Sequence, residues 1–323
     1  MAIDILSLEP TVISRDLRGK YVMLYGKQKS GKTTAASQFP GALLLAFEKG
    51  YNAIGGLMAQ DITKWSDYKL ILRQLAKPEA QAKFQTIIID TVAIAWDLCE
   101  QFVCAQNGVQ KISDVPWGGG YTACKKEFES SLRQITQLGY GVVLIAHHSV
   151  RMDKTADGAD IEIISPELPK RAAEICNGIV DIIGYIGSEW KDGVNTRYLY
   201  TRETPTLFAG SRFKYLAPKI PFGYQELVDA IAEAIEKAEK FDGVKVVDQI
   251  VERPVEQLDF KKVRAEAQEL WTTLMTRDPE NINRLMKKIE IIFGRPIKLS
   301  EVTEDQVDLL ELMNIEMRDM LTE

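Results

Sequence analysis

Short runs of Val, Ile and Leu recur along the first 200 residues, and between them apolar positions fall at helical spacing. Four runs, 21–25, 42–47, 84–90 and 141–146, are nearly continuous, the pattern of strands buried on both faces of a parallel sheet. Pro40-Gly41 ends a helix ahead of the second run, and Phe128, Leu132, Ile135 and Leu138 mark a crossover helix ahead of the fourth. The alternation predicts an α/β fold, a mainly parallel sheet flanked by helices. Beyond residue 178 the pattern changes. Runs 179–186 and 196–201 flank Lys191-Asp192-Gly193, which predicts an antiparallel hairpin extending the sheet.

A helix over about 224–240, with Leu227, Ile231, Ile235 and Ala238 on one face, closes the first domain, expected over 1–240. Residues 241–258 contain Pro254 and are expected to be a linker. The remainder, 259–323, is expected to be a small helical domain. Phe260, Val263, Ala267, Leu270, Trp271 and Leu274 share one helix face, and Ile282, Leu285, Met286 and Ile289 another. Thr303-Glu304-Asp305-Gln306 is a capping-box signal before a last helix with Leu309, Leu310, Met313 and Met320.

Composition changes this picture little, charge somewhat more. The net charge of −6 falls entirely in residues 241–323, so residues 1–240 are neutral, and 301–323 hold eight acids and one base. A protein that coats nucleic acid by charge alone is excluded. The acidic end reads as a solvated helix face, or as a competitor for a basic site. No run approaches the roughly 18 apolar residues of a membrane helix, and the start of the chain lacks a secretion-signal pattern; a cytoplasmic protein with no membrane partner is expected. Cys99, Cys104, Cys124 and Cys176 form no CxxC pair, so buried reduced thiols are expected rather than a metal site.

Chemistry enters at Gly26-Lys27-Gln28-Lys29-Ser30-Gly31-Lys32-Thr33, which fits the phosphate-loop pattern G-x-x-x-x-G-K-[ST] at every fixed position. Such a match arises by chance in roughly one chain of this length in a hundred, and here it also follows a strand and opens a helix. The glycines let backbone N–H groups turn inward onto phosphate oxygens, and the next helix adds its positive end. Lys32 is expected to reach the β- and γ-phosphates, with the Thr33 hydroxyl on Mg²⁺; Thr34 completes the expected contact set.

Asp90 ends the run Ile87-Ile88-Ile89-Asp90 at the strand edge where ligands bind in such sheets. It is expected to hold a Mg²⁺-bound water; capping the next helix is the alternative. Hydrolysis needs a group that orients water, and Glu48, at the end of the second run, is the candidate, with a surface acid as the alternative. Thr91, not an acid, follows Asp90, which favours a base from a different strand. His147 and His148, the two histidines, end the fourth run. Side chains alternate, so one of them faces inward, and His147 is expected to sense the γ-phosphate; a packing or capping role is the alternative.

These residues resemble the RecA-like branch of P-loop ATPases: Gly-x₄-Gly-Lys-Thr-Thr, a glutamate ending the next strand, Ile-Ile-Asp-Thr, and a polar sensor on a further strand. More narrowly, 25–40, 43–50, Trp117-Gly118-Gly119-Gly120-Tyr121, Leu144-Ile145-Ala146-His147 and 197–216 look like the phage-encoded nucleotide-binding proteins of the single-strand annealing class. The resemblance spans roughly 20–240. It implies a RecA-like core that uses ATP and Mg²⁺, binds single-stranded DNA, and promotes annealing or strand pairing in phage recombination or replication. It further implies a homo-oligomeric ring or filament in a bacterial host's cytoplasm. The implied DNA path runs along 106–121, with Lys111, Trp117 and Tyr121, and along 149–172, with Arg151, Lys154, Lys170 and Arg171. Stacking on bases and phosphate contacts are the expected roles, a core position for Trp117 being the alternative. The acids Asp153, Asp157, Asp160 and Glu162 cancel much of the second loop's charge. Arg212 and Lys214, two apart on an expected strand, are candidates to complete a neighbour's site, surface ion pairing being the alternative.

Two other classes stand beside this one. A small-molecule P-loop kinase lacks support, since Arg133 is the one arginine between Asp90 and His147 and no arginine-rich lid is present. A nucleotide-gated scaffold would recruit a replication or recombination protein through the C-terminal helices.

Overall fold

A computed structural model describes residues 12–14, 19–154, 157–191, 193–247, 258–277 and 281–322. The chain divides into two compact units, one of Thr11–Pro254 and one that includes Val255–Glu323.

In the larger unit, β1 (Ile13–Ser14) precedes β2 (Tyr21–Gly26), whose end turns through the phosphate loop into α1 (Lys32–Ala36). Next come β3 (Ala42–Ala46), the edge strand β4 (Met58–Asp61), and helices α2 (Trp65–Leu75) and α3 (Pro78–Lys83). Then β5 (Thr86–Asp90), α4 (Val92–Gln106), α5 (Gly119–Gln137), β6 (Gly141–Lys154), β7 (Asp160–Pro166) and α6 (Lys170–Ile179) follow. Strands β8 (Ile182–Lys191), β9 (Val194–Tyr200), β10 (Gly210–Ser211) and β11 (Lys219–Pro221) lead to α7 (Tyr224–Asp242) and β12 (Val246–Val247).

The main sheet runs β11-β9-β8-β2-β6-β5-β3-β4. The six strands from β8 to β4 are parallel; β8–β9 and β9–β11 are antiparallel. This is the expected α/β, RecA-like P-loop arrangement with its antiparallel extension. The continuous apolar runs have a direct cause, because alternate residues serve two cores. Met23, Ile87, Ile89, Val142 and Leu144 pack under α2, α4, α5 and α6. Val22, Leu24, Ile88, Val143 and Ile145 pack under α1 and α7. All four cysteines are free and buried.

Three expectations change. The segment expected as a linker begins within the larger unit, since α7 runs to Asp242 and β12 pairs in parallel with β1; 248–257 lies outside the described residues. The expected loop 149–172 is largely an antiparallel hairpin, residues 148–154 of β6 pairing with 160–166 of β7. Polar residues at many of its positions hide the strand period. The expected flexible loop 106–121 is two 3₁₀ turns, Ile112–Asp114 and Pro116–Gly118, running into α5. Its glycines are steric: Gly118 has φ +69°, and a Cβ at Gly120 would lie 2.7 Å from the Ile112 carbonyl oxygen.

The smaller unit packs α8 (Phe260–Arg277), α9 (Asn281–Phe293) and α10 (Val307–Thr322) around Val263, Ala267, Leu274, Leu285, Ile289, Met313 and Met317. Thr303 and Gln306 form the expected capping box ahead of α10. Asn314, fully buried on α10, donates to the Val263 carbonyl at 2.9 Å and so fixes α10 against α8. Ile282 and Met286, expected inside, are exposed on α9.

Candidate active site

Strand register assembles the site. Gly26 on β2 pairs with His147 on β6, Asp90 on β5 pairs with Ile145 on β6, and Ala46 on β3 pairs with Asp90. Phe47 and Glu48 both donate their backbone N–H to the Asp90 carbonyl, at 2.7 and 3.0 Å, which seats Glu48 beside Asp90. The ends of β2, β3 and β5, and the point where β6 leaves the main sheet, therefore present the phosphate loop, Glu48, Asp90 and His147 together.

Within the loop, Lys32 is 6% exposed and donates to the carbonyls of Gly26 and Lys27 at 3.1 and 2.8 Å. Burial pushes its pKa down, while Asp90 and Glu48 push it back up. Gly26 is obligatory for room, because a Cβ there would stand 2.7 Å from the Ile186 carbonyl oxygen. Lys27, Gln28, Lys29 and Thr34 are exposed, and Lys29 takes φ +60°.

Thr33 Oγ1 donates to Asp90 Oδ2 at 2.6 Å. Burial raises the Asp90 pKa, Thr33 opposes this, and Glu48 adds to it. Glu48 Oε2 lies 3.1 Å from His147 Nε2, whereas His148 lies against the phosphate loop, with its ring hydrogen-bonded to the Gly26 backbone. His148 has its pKa lowered by burial and by Lys27 and Lys32. Ser30 Oγ, Thr91 Oγ1 and His147 Nδ1 are buried with no hydrogen-bond partner in the protein. Orphaned groups of this kind fit a ligand rich in polar oxygens. Among the described residues, no group of three or more His, Cys, Asp or Glu is placed to hold a metal. The Thr33–Asp90 pair fits Mg²⁺, which is held by one or two protein oxygens plus waters and phosphates.

The sign of the Asp90 shift gives a stability prediction. A carboxyl whose folded pKa is raised favours the fold below its ordinary range, and that contribution is lost as pH rises through the folded value. At neutral pH the buried charge opposes folding. Asp90→Asn, which keeps an acceptor for Thr33, is expected to raise the melting temperature of the nucleotide-free protein at pH 7 by on the order of a few degrees. The gain should shrink toward pH 4. Thermal melts at both pH values check this, and a lowered melting temperature at pH 7 contradicts it.

The remaining expected residues are dispersed. Trp117 is fully exposed at φ +59°, so a core position is ruled out. The Arg171 guanidinium lies 4.3 Å from the Tyr121 ring centre, and Lys125 pairs with Glu174. Near-equivalent positions on α5 and α6 thus meet, and the two helices run side by side with Trp117 at their start. Lys170 opens α6, and Lys111 precedes the first 3₁₀ turn. Arg151 is exposed on β6, and Lys154 pairs with Asp160 at 3.4 Å. Arg212 and Lys214 do not share a strand face, since β10 ends at Ser211. Arg212 pairs with Asp181 and Lys214 with Asp242, so each is already engaged by its own chain.

One residue escaped the sequence reading. Arg197 on β9 donates from Nη1 to the Ser30 carbonyl at 2.9 Å, bringing a guanidinium from the antiparallel extension onto the phosphate loop. The available signal was its spacing from the apolar Leu199, which becomes informative once the strand is placed.

The chain is 30% identical, over 100% of both sequences, to the SPbeta prophage-derived uncharacterized protein YorG of Bacillus subtilis (strain 168). Among solved structures it is similar to the KaiC-like protein PH0186 of Pyrococcus horikoshii OT3, with a TM-score of 0.35 and 15% identity over 64% of this chain and 85% of that one. It is likewise similar to the flagellar accessory protein FlaH of Methanocaldococcus jannaschii, with a TM-score of 0.35 and 12% identity over the same shares. Likenesses this distant add nothing to what the sheet order already shows. Residues 18–213 match the family described as AAA domain, and with the phosphate loop set on its sheet as above, the chain belongs to that family as a P-loop ATPase of RecA-like fold.

Proposed function

We propose that the protein binds ATP with Mg²⁺, hydrolyses it, and couples this to single-stranded DNA, promoting annealing or strand pairing. The carrying observation is the convergence at one sheet edge of buried Lys32, the Thr33–Asp90 hydrogen bond and the Glu48–His147 pair. Lys32 and the loop N–H groups hold the phosphates. Thr33 and Asp90 would hold Mg²⁺, which when bound neutralises charge on the phosphate oxygens. Glu48 orients a water toward the γ-phosphorus and accepts its proton, while His147 fixes the Glu48 carboxylate.

For DNA, the support is Trp117, fully exposed in the turn just before α5, the helix whose Tyr121 ring carries the Arg171 guanidinium. A free indole face suits stacking on unpaired bases. The engaged state of Arg212 and Lys214 leaves completion of a ring or filament neighbour's site to a rearrangement on assembly. Ile282 and Met286, exposed and one turn apart on α9, offer a surface for a replication or recombination partner.

ATP turnover measured with and without single-stranded DNA tests the reading. Stimulation by DNA is expected; turnover dependent on a small phosphate acceptor would instead indicate a kinase, and binding without turnover a scaffold. Base–aromatic stacking is worth about 1–3 kcal/mol, so Trp117→Ala is expected to weaken single-strand binding about tenfold or more while leaving DNA-free turnover intact. Unchanged DNA affinity by anisotropy would remove Trp117 from the path.

A further inference from the structure

Beside the phosphate loop, on the side away from Glu48, Asp90 and His147, stand two side chains with no role in hydrolysis. A Cβ at Gly31 would lie 2.8 Å from Arg197 Nη1 and 3.3 Å from Phe222 Cε1, so both groups rest against the loop at Ser30-Gly31.

Their position follows from strand alternation. Leu199 on β9 and Ile220 on β11 are paired and buried in the core under α1 and α7. Two residues from each, Arg197 within β9 and Phe222 just past the end of β11 return to that same face, the register continuing through the Phe222–Arg197 hydrogen bond. The Phe222 N–H donates to the Arg197 carbonyl at 3.1 Å, which holds the two abreast. Phe222 is half-buried against the core, and Arg197 is exposed.

The sheet order gives the nucleotide a direction. β2 carries the phosphate loop, with β6, β5 and β3 on one side and β8, β9 and β11 on the other. Asp90, Glu48 and His147 all lie on the first side, so that side takes the γ-phosphate. In a nucleoside triphosphate the ribose and base are at the opposite end from the γ-phosphate, and with the chain extended across the loop they leave toward β8 and β9, where Arg197 and Phe222 stand.

Resting on the nucleotide reading above, we propose that Arg197 and Phe222 form the nucleoside subsite. Phe222 offers a ring to the base, and Arg197, resting on the Ser30 carbonyl, donates to the ribose oxygens. A partly sheltered ring suits an aromatic base; a guanidinium can stack and donate at once, which an ammonium cannot. The site is thereby selective for nucleotides over bare polyphosphate.

Calorimetric titration of the full chain with Mg²⁺-ATP and with Mg²⁺-tripolyphosphate tests this. Phe222→Leu, which keeps apolar packing, and Arg197→Ala are each expected to weaken ATP about tenfold and to leave tripolyphosphate affinity unchanged. Arg197→Lys should recover little of the loss. Lys32→Ala should weaken both ligands. An equal loss of ATP and tripolyphosphate on Arg197→Ala would make Arg197 a brace of the loop alone and overturn the subsite. Unchanged ATP affinity in both variants would overturn it too. If the wild-type chain bound neither ligand, the phosphate site itself would be at fault, an outcome distinct from the others. Thermal melts accompany each variant, so a loss of fold is read separately.

Discussion

Lys32→Ala is expected to raise the dissociation constant for Mg²⁺-ATP by about two to four orders of magnitude and to abolish turnover. The buried ammonium now sits on the carbonyls of Gly26 and Lys27, and bound phosphate would replace them with charged acceptors. Charge-assisted hydrogen bonds contribute about 1.5–3 kcal/mol each, and two of them give about the factor stated. Alanine also leaves both carbonyls without this donor and removes a positive charge that offsets the buried Asp90 carboxylate and the half-exposed Glu48. The variant therefore carries an electrostatic cost of its own, and a melt with the titration separates it from lost binding. Near-normal turnover would sink the assignment of residues 26–33.

What was legible in advance divides along physical lines. β2, β3, β5 and β6 announced themselves because residues on both faces are buried, leaving no polar position to interrupt the run. β4 did not: Met58–Asp61 is a four-residue edge strand with alternate residues exposed. The outer parts of β6 and β7 stayed hidden because a hairpin projecting beyond its cores has no need of apolar residues; Arg151, Asp153 and Glu162 sit there as readily as Val150 and Met152. The start of the expected linker was misread because Val246–Val247 pairs with β1, a contact across more than 200 residues that no local pattern encodes.

The same division holds at the site. Lys32, Thr33 and Asp90 were readable because phosphate and metal chemistry fix residue type at fixed spacing from a strand end. Glu48 and His147 were readable as strand ends, yet their 3.1 Å approach depends on β5 and β6 lying between β3 and β2. Arg197 was not readable, because its meaning comes from the register of β9 against β11 and from β8 lying beside β2. Trp117 misleads composition in the other direction. A tryptophan is more often inside than out, and its exposure follows from the turn that sets it at positive φ just before Gly118.

Glu48→Gln is expected to separate binding from chemistry. Glutamine has nearly the shape of glutamate and can still hydrogen-bond His147 Nε2, so the strand ends should stay in place and ATP affinity should remain near wild type. It cannot take a proton from water, and a general base contributes about 10²–10⁴-fold; turnover should fall by that factor with or without DNA. His147→Asn is expected to lower turnover less, because it disturbs the orientation of the Glu48 carboxylate without removing the base. Single-turnover hydrolysis alongside equilibrium titration reads both effects. If Glu48→Gln turned over normally, the proton would have to leave by another route. Asp90 would then be the remaining carboxylate within the site, and its tight bond to Thr33 leaves it poorly placed to serve. A fall in affinity equal to the fall in turnover would mean instead that Glu48 acts on the bound ground state, through its field at Lys32, rather than on the attacking water.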